Sequence, residues 1–195
     1  MLTPETVLQA LQEQTPVGLA ELPDKHGVYA LVDHAGSIRY IGVTERPRMG
    51  FRRRIFQYHV TGSEGRSHKF SQAYNTGRMW RSRSADTRQL ACNAKFAKSL
   101  RTKFCRAYCK AAYFPVAAGQ LADGFFQFLT YLEAQIQQLA PPSMRSWEGI
   151  NFQSVVEPAE LVDRLIASLG LGQSELRALE SQARLCEVGA RVGEV

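Results

Sequence analysis

Three groups of residues in this chain have the types and spacing to do chemistry. Two tyrosines stand in short runs, His26-Gly-Val-Tyr29 and Tyr40-Ile-Gly42-Val-Thr, with Asp33-His-Ala-Gly36 between them. Arg54 and Tyr58 follow in Phe51-Arg-Arg-Arg54-Ile-Phe-Gln-Tyr58, four residues apart, a spacing that puts both on one face of a helix. Glu133 is the only carboxylate between Asp123 and Glu148 and lies in an otherwise apolar helical run. A lone buried acid is costly unless it is paired or bound to a cation, so Glu133 is a candidate metal ligand. Two strand aromatics more often pack on a core than react, and the tyrosines alone would carry little.

The charge distribution suggests what such a site would act on. Of the 195 residues, the stretch from Arg39 to Lys110 holds 18 Lys+Arg and 3 acids, Glu45, Glu64 and Asp86. The rest holds 6 bases and 15 acids, so a net charge of +6 hides a basic middle on an acidic body. That asymmetry is the footprint of a polyanion-binding face, and Arg, the predominant base, suits bidentate phosphate contact. An apolar content of 45% excludes a wholly disordered chain. No apolar run approaches the roughly 20 residues of a membrane span, and the N-terminus has no signal-peptide pattern. The four cysteines are too few and too scattered for a disulfide scaffold, and a cytoplasmic address with no membrane partner is expected. Cys105-x₃-Cys109 has no second close pair and reads as small core residues rather than a zinc site.

The elements that must position these residues follow from periodicity. Thr3-Pro-Glu starts a helix over 4–13, with Val7, Leu8 and Leu11 on one face. Gly27–Val32 and Ser37–Val43 read as strands of a hairpin. Phe51–Val60 reads as a basic helix, 67–76 as a second closing at Gly77, and 86–100 as a third. Phe104–Phe114 alternates and predicts a strand with one buried and one basic face. Asp123 caps a helix ending near Leu139 at Pro141-Pro142, and stripes at 161–169 and 176–186 predict tail helices. The expected fold is α+β, a small three-stranded antiparallel sheet flanked by helices, with added helices.

The paired Gly-Val-Tyr29 and Tyr40-Ile-Gly42 motifs resemble those that name the GIY-YIG nuclease family. The resemblance extends to Arg54 with Tyr58, to His68 in Gly65-Arg-Ser-His, to Leu132-Glu133-Ala-Gln-Ile136 and to Gly149-Ile-Asn151. It covers 26–80 and 104–152. Val28 stands where Ile is typical, and about four extra residues precede the basic helix. The triple arginine leaves its register open: Arg53 with Gln57, or His59 as the polar partner, are alternatives.

The resemblance implies a metal-dependent endonuclease, a hydrolase cutting DNA phosphodiesters with one Mg²⁺ or Mn²⁺ held by Glu133. Tyr29 would be the base for the attacking water. Tyrosine at its ordinary pKa near 10 is only ~0.1% ionised at pH 7, and lowering that pKa to about 7 takes roughly 4 kcal/mol of help from Arg54 and a metal-bound water. Tyr40 and Tyr58 would orient water or phosphate, Arg54 would clamp a non-bridging oxygen, His68 would assist the leaving group, and Asn151 would close the site.

Candidate nucleic-acid contacts are Arg52, Arg53, His59, Lys69, Arg78, Arg81 and Arg83. The expected organisation is a helical extension over 1–25, a nuclease domain over 26–152 with an insertion at about 78–103, and a helical tail over 153–195. The insertion would extend the DNA surface. If 6–10 phosphates are neutralised, affinity should fall about 10³–10⁵-fold between 50 and 200 mM salt. The tail would complete the core or pair with a partner helix in a homodimer. RNA as the substrate stays open, and a non-catalytic nucleic-acid-binding module is the competing reading.

Overall fold

The structure, a computed structural model, describes residues 2–62, 69–82, 90–119 and 124–192; of Asn151 and residues 189–192 only the backbone is described. In chain order the elements are α1 (Pro4–Glu13), β1 (Val17–Gly18), β2 (Gly27–Val32), β3 (Ile38–Val43), a π-helix (Arg53–His59), α2 (Lys69–Ala73), α3 (Ala91–Tyr108), β4 (Lys110–Pro115), α4 (Phe125–Leu139), α5 (Ala159–Leu169) and α6 (Gln173–Val192). They divide into two compact units. The first comprises 1–69 and 106–152, the second 70–105 and 153–195. The residues expected as insertion and tail thus fall together in the second unit. The expected N-terminal extension belongs to the first.

The first unit is built on a four-stranded antiparallel sheet in the order β1-β4-β2-β3, one strand more than expected. The addition is β1, whose two residues pair Val17 with Ala111 and Gly18 with Lys110, too short for any periodicity to reveal. In α1 the Thr3 Oγ1 accepts from the Thr6 amide while Thr6 Oγ1 accepts from the Thr3 amide, a reciprocal cap ahead of Pro4. Val7, Leu8 and Leu11 then pack with Leu129, Leu132 and Ile136 of α4 on one face of the sheet, against Val28, Ala30, Ile41 and Val43.

Side chains alternate across a strand, so the neighbouring residues Tyr29, Leu31, Tyr40 and Gly42 take the opposite face. The register, Tyr29 opposite Gly42 and Leu31 opposite Tyr40, keeps both tyrosines on that face. The hairpin is fixed by Asp33. Its Oδ1 accepts from the amides of Ala35 and Ser37 at 2.9 and 2.8 Å, and its Oδ2 accepts from Arg39 Nε at 2.7 Å.

The expected strand over 104–114 is corrected. Helix α3 continues to Tyr108 and β4 starts only at Lys110. Ala94, Ala97, Leu100, Arg101, Phe104 and Cys105 are all buried, a helical spacing that carries through the residues whose short alternation suggested a strand. Residues 91–105 of α3 lie in the second unit and Arg106–Tyr108 in the first.

In the second unit the tail residues pack against 70–105. Val155 N donates to Ala73 O at 2.9 Å, Thr76 Oγ1 to Val155 O at 2.9 Å, and Gln182 Nε2 to Trp80 O at 3.0 Å. Val162, Leu165 and Leu179 are buried, so part of the stripes expected to meet a partner or a core is covered by the chain itself. Among the described residues no helix is long and apolar enough to cross a membrane.

Candidate functional site

Tyr29 is the centre of the site. Its ring is fully buried and its Oη lies 2.8 Å from His59 Nε2, with Phe51 edge-on at 6.4 Å and Tyr40 at 6.1 Å between ring centroids. The Arg54 guanidinium also hydrogen-bonds to this phenol. With Arg54 donating to Oη, the phenol proton is available to His59 Nε2 in the tautomer that carries its proton on Nδ1. Gly42, across the ladder, leaves the room this needs. A Cβ there would stand 2.8 Å from Tyr29 Oη and 2.6 Å from Tyr40 Cε1. The glycine of the second motif is therefore a steric requirement of the two phenols.

Arg54 and His59 both reach Tyr29 because the helix carrying them is a π-helix. Its i→i+5 bonding is seen in Val60 N donating to Ile55 O at 3.1 Å, and it brings residues five apart onto one face. Both side chains are buried. Tyr58, expected as the partner of Arg54, is displaced by one position. It lies beside Arg53, whose Nη2 is 3.5 Å from its Oη and whose guanidinium is 5.9 Å from its ring centroid. His59, also proposed as a surface contact for nucleic acid, has no exposed surface and sits against Tyr29. The helix is anchored at its start by Gly50, where a Cβ would come within 2.9 Å of the Asp24 backbone, and by Phe51 N donating to Lys25 O at 2.9 Å.

Glu133 reaches the site along the free edge of the sheet. The outward-facing groups of β3 must find partners, as any edge strand's do. Ile41 O accepts from Gln137 Nε2 at 3.1 Å, Ile41 N donates to Glu148 Oε1 at 3.4 Å, and Arg39 O accepts from Trp147 N at 3.1 Å. Gln137 Nε2 also lies 3.4 Å from Glu133 Oε1, one turn earlier on α4, and 3.5 Å from Glu148 Oε1. Burial, then the Glu45 and Glu148 carboxylates, push the Glu133 pKa up to about 7, with Arg54 opposing them. Burial also raises Glu148.

Both phenols are pushed up. Burial holds Tyr29 and Tyr40 well above the ordinary tyrosine range, Arg54 opposing it for both and Glu133 adding to it. This is the reverse of the shift a free phenolate base would need. Lys69 Nζ lies 5.6 Å from the centre of the Tyr40 ring.

A second carboxylate, Glu45, was not singled out as a site residue from sequence. Its Oε1 accepts from Arg54 Nη2 at 2.8 Å. The one sequence clue was its place as a lone acid ahead of a run of arginines. Glu148 and Gln137 were likewise missed, although Gln137 stands one helical turn from Glu133. His68 and Arg83 lie outside the described residues, as does the Asp123 expected to cap α4; Asn151 closes a short 3₁₀ turn over Gly149–Asn151. Arg52 and Arg53 are exposed in the first unit. Arg78 and Arg81 belong to the second. There Arg78 Nε donates to Glu157 Oε1 at 2.7 Å and Nη1 to Asp163 Oδ1 at 2.5 Å, so this arginine is committed to an internal ion-pair network.

Glu133 is the donor that a hard divalent cation would take at this site. Among the described residues no group of three or more His, Cys, Asp or Glu converges to hold a metal. Glu133 would be the protein ligand and the remaining positions would go to water and substrate oxygen, the habit of Mg²⁺. A buried carboxylate beside two others is a group whose charge a cation relieves. Comparison with known proteins finds no matching family, no matching curated protein and no matching solved structure.

Proposed function

We propose that this chain is a divalent-metal-dependent endonuclease that hydrolyses DNA phosphodiesters, as its resemblance to the GIY-YIG nucleases implies. The observation that carries the reading is the convergence of Tyr29, Tyr40, Arg54, His59 and Glu133 on one sheet face and edge. A bound cation would supply charge neutralisation and an acidified water at Glu133. Arg54 would clamp a non-bridging phosphate oxygen through its planar fork. Tyr29 Oη would take the proton of the attacking water while passing its own to His59 Nε2. That relay spares the buried phenol from standing as a phenolate, the form its surroundings disfavour. A neutral imidazole with its proton on Nδ1 leaves Nε2 as the acceptor for that proton.

The complete burial of Tyr29 supports a second reading, a nucleic-acid-binding module in which the phenol only packs. One experiment separates the two. Supercoiled plasmid, branched and single-stranded DNA and a matching RNA are incubated with Mg²⁺, Mn²⁺ or EDTA, comparing the chain with Glu133→Ala. Metal-dependent nicking lost in the variant supports the nuclease; binding without cutting on every substrate supports the module.

A further inference from the structure

Arg54 is held by both Tyr29 and Glu45, and the two holds differ in kind. The guanidinium belongs to a buried side chain on the π-helix and bonds to Tyr29 Oη. The Glu45 side chain is 43% exposed against 6% for Arg54. Glu45 is the first residue beyond a firmly tied point. Thr44 is buried, its amide donates to Gly27 O at 3.1 Å, and its Oγ1 accepts from Gly27 N at 3.1 Å. Residues 45–48 that follow are exposed, up to Arg48 with φ 60°. A side-chain rotation therefore removes Glu45 from Arg54 without moving the strand or the helix.

Carboxylate and phosphate make the same demand on a guanidinium, two parallel N–H donors to two oxygens. We infer that Glu45 occupies the phosphate seat of Arg54 and is displaced from it when a phosphate oxyanion binds. Repulsion between Glu45 and Glu133 favours the departure, since the two carboxylates share the neighbourhood of one arginine. The displacement sets a threshold on entry. If Glu45 holds Arg54 in about nine of ten molecules, the apparent phosphate affinity falls about tenfold.

The inference rests on the nuclease reading for its substrate, and its test is arranged to fail separately. The first arm uses inorganic phosphate, read on the Arg54 Nε–H resonance of the full chain in EDTA, for wild type, Glu45→Asp and Glu45→Gln. Asp keeps the charge but falls one methylene short of Arg54. The expected result is half-saturation at about tenfold lower phosphate in both variants. The displacement is overturned if both stay within about twofold of wild type, if only Glu45→Gln tightens, which is charge removal alone, or if phosphate never perturbs Arg54. The second arm is the nicking assay on wild type, whose failure would remove the nuclease reading and leave the phosphate result standing.

Discussion

Replacing Glu133 by Gln should stabilise the protein at alkaline pH and leave it unchanged at acid pH. The native carboxyl is pushed up to about 7 from an ordinary 4.5 by burial and by Glu45 and Glu148. The native state therefore keeps a proton that the unfolded chain releases between pH 4.5 and about 7. Stability from the protonated form is complete below pH 4.5 and is lost as pH rises through 7, where the ionised group stands among its neighbours. At about 1.4 kcal/mol per pH unit the interval corresponds to about 3 kcal/mol. Gln retains the shape and an oxygen for Gln137, and it has no charge to lose. Its advantage should be near zero at pH 4.5, grow through pH 6 and reach about 3 kcal/mol at pH 8.

Urea denaturation gives the difference. Trp147 fluorescence in a Trp80→Phe background reports the first unit alone, since these are the chain's two tryptophans. Groups that do not sense Glu133 titrate alike in both proteins and cancel; Glu45 and Glu148, which it repels, ionise more easily in the variant and add to its advantage at high pH. Parallel curves from pH 4.5 to 8 would refute the placement of Glu133 among the other carboxylates. A Gln variant destabilised equally at every pH would show a packing role instead. In the same assay Mg²⁺ at about 100 times its Kd should restore about 2.7 kcal/mol to wild type at pH 8 and nothing to the variant.

Three shorter predictions test the rest of the site and its surroundings. Gly42→Ala should cost about 1–3 kcal/mol in urea unfolding, because its Cβ would press two buried rings; Gly124→Ala, where no described residue lies within 4 Å, is the control, and equal effects would refute the steric account. His59→Ala should lower nicking about 10²–10⁴-fold, the usual range for a proton-transfer group, while Tyr58→Phe should stay within about threefold, and the reverse ranking would restore the four-residue spacing of an α-helix. Arg78→Ala should destabilise the second unit by about 3 kcal/mol, read by circular dichroism during urea unfolding, because it leaves the largely buried Glu157 without its cation. DNA affinity at fixed salt should hardly change, and a large loss of affinity with unaltered stability would return Arg78 to the binding surface.

The parts of the fold that were legible rest on local rules. Thr3-Pro4 marked the start of α1, and Asp33 with Gly36 marked the hairpin whose pairing aligns the tyrosines. A period of two then sufficed to put Tyr29 and Tyr40 on one face. Illegible parts depend on interactions that periodicity does not encode. No propensity separates a π-helix from an α-helix, so the arginine run pointed to Tyr58 where the backbone presents His59. Strand β1 is two residues held by β4, and the end of α3 was masked by a chance alternation of five residues. Glu45 and Glu148 lie outside regular helices and strands, and only tertiary packing brings them to Arg54 and the edge of β3. The tail and the segment after Lys69 share a unit through contacts such as Thr76 with Val155, which no spacing in the sequence announces.

The charges at the site explain why its residues have to be read as a set. Glu45, Glu133 and Glu148 face Arg54, Lys69 and Arg145, a set that balances when all are ionised. A phosphodiester entering alone would bring an unbalanced negative charge into a largely buried neighbourhood, where charge is least screened. A divalent cation entering with it would offset that charge. In the nuclease reading, cation and phosphate therefore favour each other's binding by the same factor, as linkage requires. Glu45 takes part in that coupling from the other side. While it stays on Arg54 it neutralises the arginine and opposes ionisation of Glu133; once displaced into water it leaves the guanidinium to the phosphate and Glu133 to the cation. In that reading the raised pKa of Glu133 and the pairing of Glu45 are two aspects of one site held in its substrate-free state.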